Sequence, residues 1–134
     1  MRLQADKKSE TLPLRIQAYE RLMLFCERIN LDQLVYRMRE PSMTVKELQS
    51  VLMIAVQQEY EHNLSQQIYA SNNLWKIIEL AKNEVQNSIA STADRFAPGD
   101  DALGYSNALI AERATAPILD KAKEALRSEV KLLF

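Results

Sequence analysis

The chain has 134 residues, which is enough for one domain with a hydrophobic core and too few to expect two. Seventeen Lys and Arg residues nearly balance eighteen Asp and Glu residues, and both signs are interspersed, which argues against nucleic acid as the main partner. A lone cysteine excludes an intrachain disulfide, and no apolar run approaches the roughly twenty residues that span a bilayer. Glycine and proline are scarce, so the composition predicts an all-helical fold.

The first ten residues, MRLQADKKSE, predict a flexible charged tail over 1–10, followed by a helical bundle domain over 11–134. Thr11 and Pro13 predict the start of the first helix, because a proline in the first turn lacks only an N–H that has no partner there. Apolar residues then recur at spacings of four and three as far as about Asn30, which predicts one buried face. These residues are Leu12, Ile16, Tyr19, Met23 and Cys26.

Two further helix starts follow in the middle of the chain. Residues 32–39 fit either a short helix or an extended piece, and we favour the helix. Thr44 and Glu47 have the spacing of a capping box, and nothing breaks the long helix that it opens before about Ala70. Ser71 predicts the N-cap of the next helix. The apolar residues of that helix are Leu74, Trp75, Ile78, Ala81, Val85 and Ile89.

The last third of the chain begins with a loop, because FAPGD at residues 96–100 has the chemistry of a turn. A short helix is expected around residues 103–110, and Pro117 starts or kinks the last helix. The prediction is therefore an all-α, single-domain helical bundle of four main helices with one or two short extra helices.

The long helix carries a row of polar residues where its buried face should continue. Val45, Leu48, Leu52, Ala55 and Val56 form the apolar part, and the same line then meets Glu59, His62, Asn63, Gln66 and Gln67. Such a line either emerges into solvent or buries a hydrogen-bonded network. In a network, Arg15 or Tyr19 of the first helix is the expected partner of Glu59.

Glu59 and His62 also have the Glu-x-x-His spacing that di-iron helical bundles use for metal ligands. A complete site needs two such pairs and further glutamates, and this chain has one histidine. Only a homodimer could double the motif. A di-iron-like metal-binding protein is therefore the alternative prediction, while the main prediction assigns no metal and no cofactor.

Catalytic arrangements find little support in the sequence. Any triad would have to recruit His62, and Cys26 lies on the apolar face of the first helix, where it is expected to be a small buried hydrophobe. No glycine-rich phosphate loop and no Cys-x-x-Cys motif is present. We therefore predict that the protein is not an enzyme and has no small-molecule substrate.

Two other features could contact a partner. Trp75 lies at the start of its helix with Leu74 and Ile78, and it is expected to be core rather than an exposed anchor. The apolar segment that ends at Phe134 either packs on the bundle or binds something else.

Four blocks of the sequence resemble an uncharacterised family of small Bacteroidota proteins. They are TLPLRIQAYERL at residues 11–22, EYEHNLSQQIY at residues 59–69, Trp75 with Ala81 and Lys82, and EVKLLF at residues 129–134. Members of that family carry an N-terminal transmembrane helix and then a helical cytoplasmic domain. The resemblance implies that this chain is the soluble part, with the membrane segment absent; it implies no activity and no site residues.

The sequence and the resemblance together predict a non-enzymatic helical interaction or scaffold domain. Its interaction surface is the polar line, together with Arg15 and Tyr19. A protein partner or self-association is expected, with no nucleic acid, and with the membrane reached only through the absent segment. The expected location is the cytoplasm, at the inner face of the cytoplasmic membrane in the full-length protein.

Overall fold

The computed structural model describes the backbone of residues 2–134 and the side chains of residues 10–134. The predicted all-α class is confirmed, because the described residues form helices and contain no strand, only an isolated bridge between Thr44 and Asp101. The elements in chain order are α1 (Arg2–Arg28), α2 (Leu31–Met38), α3 (Val45–His62), a 3-10 helix (Leu64–Ile68), α4 (Asn72–Ala93), α5 (Ala102–Glu112) and α6 (Ala116–Lys131).

Helix α1 begins earlier than predicted. It starts at Arg2, so Pro13 lies inside the helix and the predicted start at Thr11 is wrong. Pro13 is exposed to solvent, where the carbonyl that loses its N–H partner can bond water instead. The flexibility predicted for residues 1–10 stays a prediction, because the side chains of residues 1–9 lie outside the described ones.

The long helix predicted to reach Ala70 ends at His62, so that prediction is wrong. The side-chain amide of Asn63 donates to the Glu59 carbonyl at 2.7 Å, which occupies the acceptor that the next helical N–H would use. The chain then continues with bonds to the residue three before, as from the Gln66 N–H to the Asn63 carbonyl. Gln66 and Gln67 therefore lie on the 3-10 helix.

The predicted helix starts in the middle of the chain are confirmed. Thr44 and Glu47 form the capping box of α3, and Ser71 caps α4 by accepting from the Leu74 N–H. Residues 32–39 are mostly helical, as α2. Asn30 does not end α1, which stops at Arg28, but caps α2 through its side chain.

One hydrophobic core joins all six α-helices. Cys26 is fully buried and Trp75 is 7% exposed, so both are core residues as predicted. Helix α6 runs antiparallel to α1. Lys123 in α6 pairs with Glu27 near the C-terminus of α1, whereas Leu132, just after α6, lies beside Thr11 and Arg15 earlier in α1. No helix among the described residues is long and apolar enough to cross a bilayer.

Candidate functional site

Five of the predicted site residues lie on two neighbouring parts of one surface, where α1 meets the end of α3 and the 3-10 helix, whereas Gln66 and Gln67 belong to neither part. We call the first part the arginine crevice; its residues are Arg21, Leu24, Phe25, Arg28, Glu59, His62 and Asn63. We call the second part the Tyr19 groove; its residues are Thr11, Arg15, Tyr19, Ile68, Tyr69, Ala70, Ser71, Glu129 and Leu132. The predicted residues therefore belong to one region but not to one network.

Glu59 pairs with Arg28, rather than with Arg15 or Tyr19 as expected. The Arg28 Nε donates to the Glu59 carboxylate at 2.5 Å, and the two side chains are 43% and 17% exposed. Arg28 lies more than two turns beyond Tyr19 on α1, since a turn takes about 3.6 residues. The end of α3 thus meets α1 closer to the C-terminus of α1 than the sequence suggested.

His62 and Asn63 have opposite environments although they are neighbours. The His62 side chain is exposed, and its backbone carbonyl accepts a hydrogen bond of 2.9 Å from Arg21. Asn63 is 7% exposed and points back to the Glu59 carbonyl. Arg21 and Asn63 together satisfy backbone carbonyls at the end of α3 that have no partner within the helix.

Gln66 and Gln67 also have opposite environments. Gln66 is buried and its amide donates to the Ser65 hydroxyl at 3.2 Å, whereas Gln67 is exposed. The sequence left open whether the polar line is buried or emerges into solvent, and the structure shows that part of it is buried and part is exposed. Asn63 and Gln66 are buried with hydrogen bonds, while His62 and Gln67 face solvent.

In the Tyr19 groove, a buried tyrosine connects α1 to the end of the 3-10 helix. Tyr19 is 3% exposed, and its hydroxyl donates to the Tyr69 carbonyl at 3.2 Å. Ile68 and Leu132 lie at the rim and are 75% and 84% exposed. Arg15 lines the groove beside them. This part of the surface therefore exposes large apolar side chains beside the buried Tyr19 and its hydrogen bond.

The opposite wall of the Tyr19 groove is held by Ser71 and Glu129. The Ser71 hydroxyl donates to the Glu129 carboxylate, so the start of α4 is tied to the end of α6. Because the same hydroxyl accepts from the Leu74 N–H, one side chain both caps α4 and positions α6. Three elements of the fold thus meet at fixed positions around the groove.

The structure adds an arginine that sequence reasoning did not place. Arg37 on α2 donates to the Arg28 carbonyl at 3.1 Å, which brings it close to Arg28. The pKa of the Arg37 guanidinium is lowered by partial burial and then by the positive charge of Arg28, while Glu59 acts in the opposite sense. The spacing of seven between Arg21 and Arg28 could have indicated a shared face of α1. No local signal could have added Arg37.

The described side chains of one chain provide no complete ligand set for the metal alternative. Among residues 10–134, no group of three or more His, Cys, Asp and Glu side chains is close enough to hold an ion. The Glu59 carboxylate is engaged by Arg28, and His62 faces solvent. A site built from Glu59 and His62 would thus still require a second chain, and it stays a prediction.

Comparison with known proteins gives one result. The model of a protein family described as "Family of unknown function (DUF7935)" matches residues 1–133. No curated protein and no solved structure matches the chain.

Proposed function

We propose that this chain, which belongs to the DUF7935 family, is a non-enzymatic protein-interaction domain and binds its partner through the Tyr19 groove. The fold acts as a scaffold: α1, α3, α4 and α6 form a bundle of four main helices that holds the groove in place. The partner is a protein, and a second copy of the chain is one form that it takes.

The observation that carries this proposal is the exposure of Ile68 and Leu132 at the rim of one groove. Each leaves three quarters or more of its surface in water. Burying an apolar side chain of this size contributes about 1.5–3 kcal/mol. Neighbouring exposed apolar residues that border polar groups are typical of protein–protein contact surfaces.

Two hydrogen bonds join residues that line the groove without any partner present. The Tyr19 hydrogen bond holds the 3-10 helix on α1, and the Ser71–Glu129 hydrogen bond holds α6 on α4. Binding to a fixed surface loses less conformational entropy than binding to a mobile one. These contacts therefore support recognition by a preformed site.

The proposed location is the cytoplasm, at the inner face of the cytoplasmic membrane, with the membrane reached through a segment outside this chain. This part of the proposal is supported by the resemblance of residues 11–22 and 59–69 to membrane-anchored helical proteins. Fractionation of the native cell with an antibody against the domain tests it; recovery in the soluble fraction alone would contradict it.

The test of the interaction function combines light scattering of the pure protein with affinity capture from its native cell. The variant I68D/L132D places two carboxylates at the rim of the groove, and L103D is the control, because Leu103 is 61% exposed on α5. We expect self-association or specific capture by the wild type and L103D, and its loss in I68D/L132D. If neither occurs in the wild type, or if I68D/L132D behaves like L103D, the proposal is wrong.

A further inference from the structure

We propose that Arg21, Arg28 and Arg37, which we call the arginine cluster, bind an acidic amphipathic segment of a different protein, with Leu24 receiving its apolar side. The inference rests on the proposed interaction function and names the chemistry of the partner. It concerns the arginine crevice, which adjoins the Tyr19 groove along α1.

The three guanidiniums are held in one small region by three separate contacts. Arg21 donates to the His62 carbonyl, Arg28 to the Glu59 carboxylate and Arg37 to the Arg28 carbonyl. Each of these contacts uses one side-chain nitrogen, so every guanidinium retains further N–H groups for an incoming acceptor. The cluster is therefore positioned and still able to donate.

The residues that line the crevice carry more positive than negative charge. Glu59 is the only carboxylate among the residues that line the crevice, which include Arg21 and Arg28, and Arg37 is bonded to the Arg28 carbonyl beside them. Asp32 on α2 pairs with Arg113, and Glu27 on α1 pairs with Lys123. The pKa of the Arg37 guanidinium is lowered first by partial burial and then by the positive charge of Arg28, so the second cause is a repulsion between the two guanidiniums. A ligand that brings carboxylates would relieve it.

An apolar residue lies between the two arginines of α1. Leu24 is three residues after Arg21 and four before Arg28, so all three share one face of the helix. It is 56% exposed, and Phe25, at 1% exposure, lies in the same crevice. An acidic segment with apolar residues at helical spacing can place carboxylates on the guanidiniums and an apolar side chain on Leu24.

The geometry disfavours two other occupants. A two-fold contact with a second copy through this face would bring the arginine cluster against itself, which is repulsive. A flat anionic membrane could reach the exposed Arg21 and Arg37, but not the recess where Glu59 is 17% exposed. The net charge of −1 also gives no general attraction to anionic surfaces.

The experiment measures binding of a fluorescent probe peptide to the full chain by anisotropy. The probe has leucines and glutamates at helical spacing, and a matched peptide has glutamine in place of every glutamate. The test variant is R21E/R37E, which replaces neither residue of the Arg28–Glu59 pair. The control is R95E/R127E, which makes the same charge change at arginines that pair with Glu112 and Glu124 instead.

We expect the glutamate peptide to bind the wild type and the control, and R21E/R37E to bind it on the order of tenfold more weakly or worse. The proposal is overturned if R21E/R37E binds like the control, or if the glutamine peptide binds equally well. Phosphatidylglycerol vesicles and light scattering are run in parallel. Arginine-dependent binding to vesicles without binding to the peptide, or a loss of self-association in R21E/R37E, would assign the cluster to lipid or to a second copy and also overturn it.

Two further measurements separate this proposal from the interaction function itself. Circular dichroism checks that R21E/R37E is folded, and R21Q/R37Q replaces it if it is not. Protein capture that is lost in I68D/L132D but kept in R21E/R37E would refute the role of the arginine cluster and leave the interaction function standing. Wild-type protein that neither self-associates nor captures a partner would refute the interaction function, while the peptide titration still decides whether the cluster binds acidic segments.

Discussion

Arg28 on α1 and Glu59 on α3 form an ion pair of 2.5 Å that joins two helices at the arginine crevice. The carboxylate is the more shielded partner, at 17% exposure against 43% for the guanidinium. The pair therefore has two roles. It fixes where the end of α3 meets α1, and it occupies the one carboxylate among the residues that line the crevice.

Replacing either partner of this pair should lower the stability of the protein, and the two replacements should differ in their effect. We expect R28M to be the more harmful change, because it leaves the shielded Glu59 carboxylate without its donor, whereas Arg28 in E59Q can be hydrated. A double-mutant cycle by urea unfolding should give a coupling free energy of about 0.5–1 kcal/mol. A coupling indistinguishable from zero would show that the contact does not stabilise the fold.

Purified protein incubated with iron(II) or zinc should retain no stoichiometric metal after gel filtration. The physical reason is that the Glu59 carboxylate is bonded to Arg28 and that His62 faces solvent, so ligation would require breaking the ion pair. Elemental analysis of the wild type and H62A checks this. Retention of about one metal per chain or per dimer that disappears in H62A would instead support the metal alternative.

Cys26 should make stability depend on pH in the alkaline range. Burial raises the pKa of its thiol from 9.0 to about 12. Between these values the folded state keeps a proton that the unfolded state has lost, so stability falls as pH rises. Urea unfolding should show a loss of roughly 1.4 kcal/mol between about pH 8 and pH 10 that is absent in C26A. Equal pH dependence in both proteins would contradict the prediction.

Replacing Ser42 by glycine should make the folded protein more stable. Its φ of 69° lies in the left-handed region, where a side chain costs roughly 1–2 kcal/mol, and glycine removes that strain at some cost in chain entropy. We expect S42G to raise the free energy of unfolding by about 0.5 kcal/mol. The control S50G, at an exposed position inside α3, should lower it by a similar amount. Destabilisation by both substitutions would show that Ser42 makes a contact worth more than the strain.

The helix types and their buried faces could be predicted from sequence. All six apolar residues assigned to α4, from Leu74 to Ile89, are buried, because the period of the pattern is a local property. The boundaries were less predictable. Pro13 predicts a helix start but lies inside α1. The sequence pattern places Asn63 within a helix, but its side chain ends α3 by donating to the Glu59 carbonyl.

Of the candidate site, the sequence indicated the residues but not their partners. His62, Asn63, Gln66 and Gln67 lie where α3 gives way to the 3-10 helix, and half of them are buried. Arg15 and Tyr19 line a groove that they share with α6, whereas Glu59 meets Arg28. A helical pattern shows which face is buried. It does not show which helix covers that face, or at which position along the axis the two helices meet.

The all-helical class, the caps at Thr44 and Ser71 and the burial of Cys26 were therefore predictable, since each depends on residues close together in the chain. Three other features were visible only in the folded chain: the ion pair across α1 and α3, the approach of Arg37 to Arg28, and the exposure of Ile68 beside Leu132. Those contacts join residues that are distant in sequence. Their geometry follows from how whole helices pack, which the pattern within any one helix leaves open.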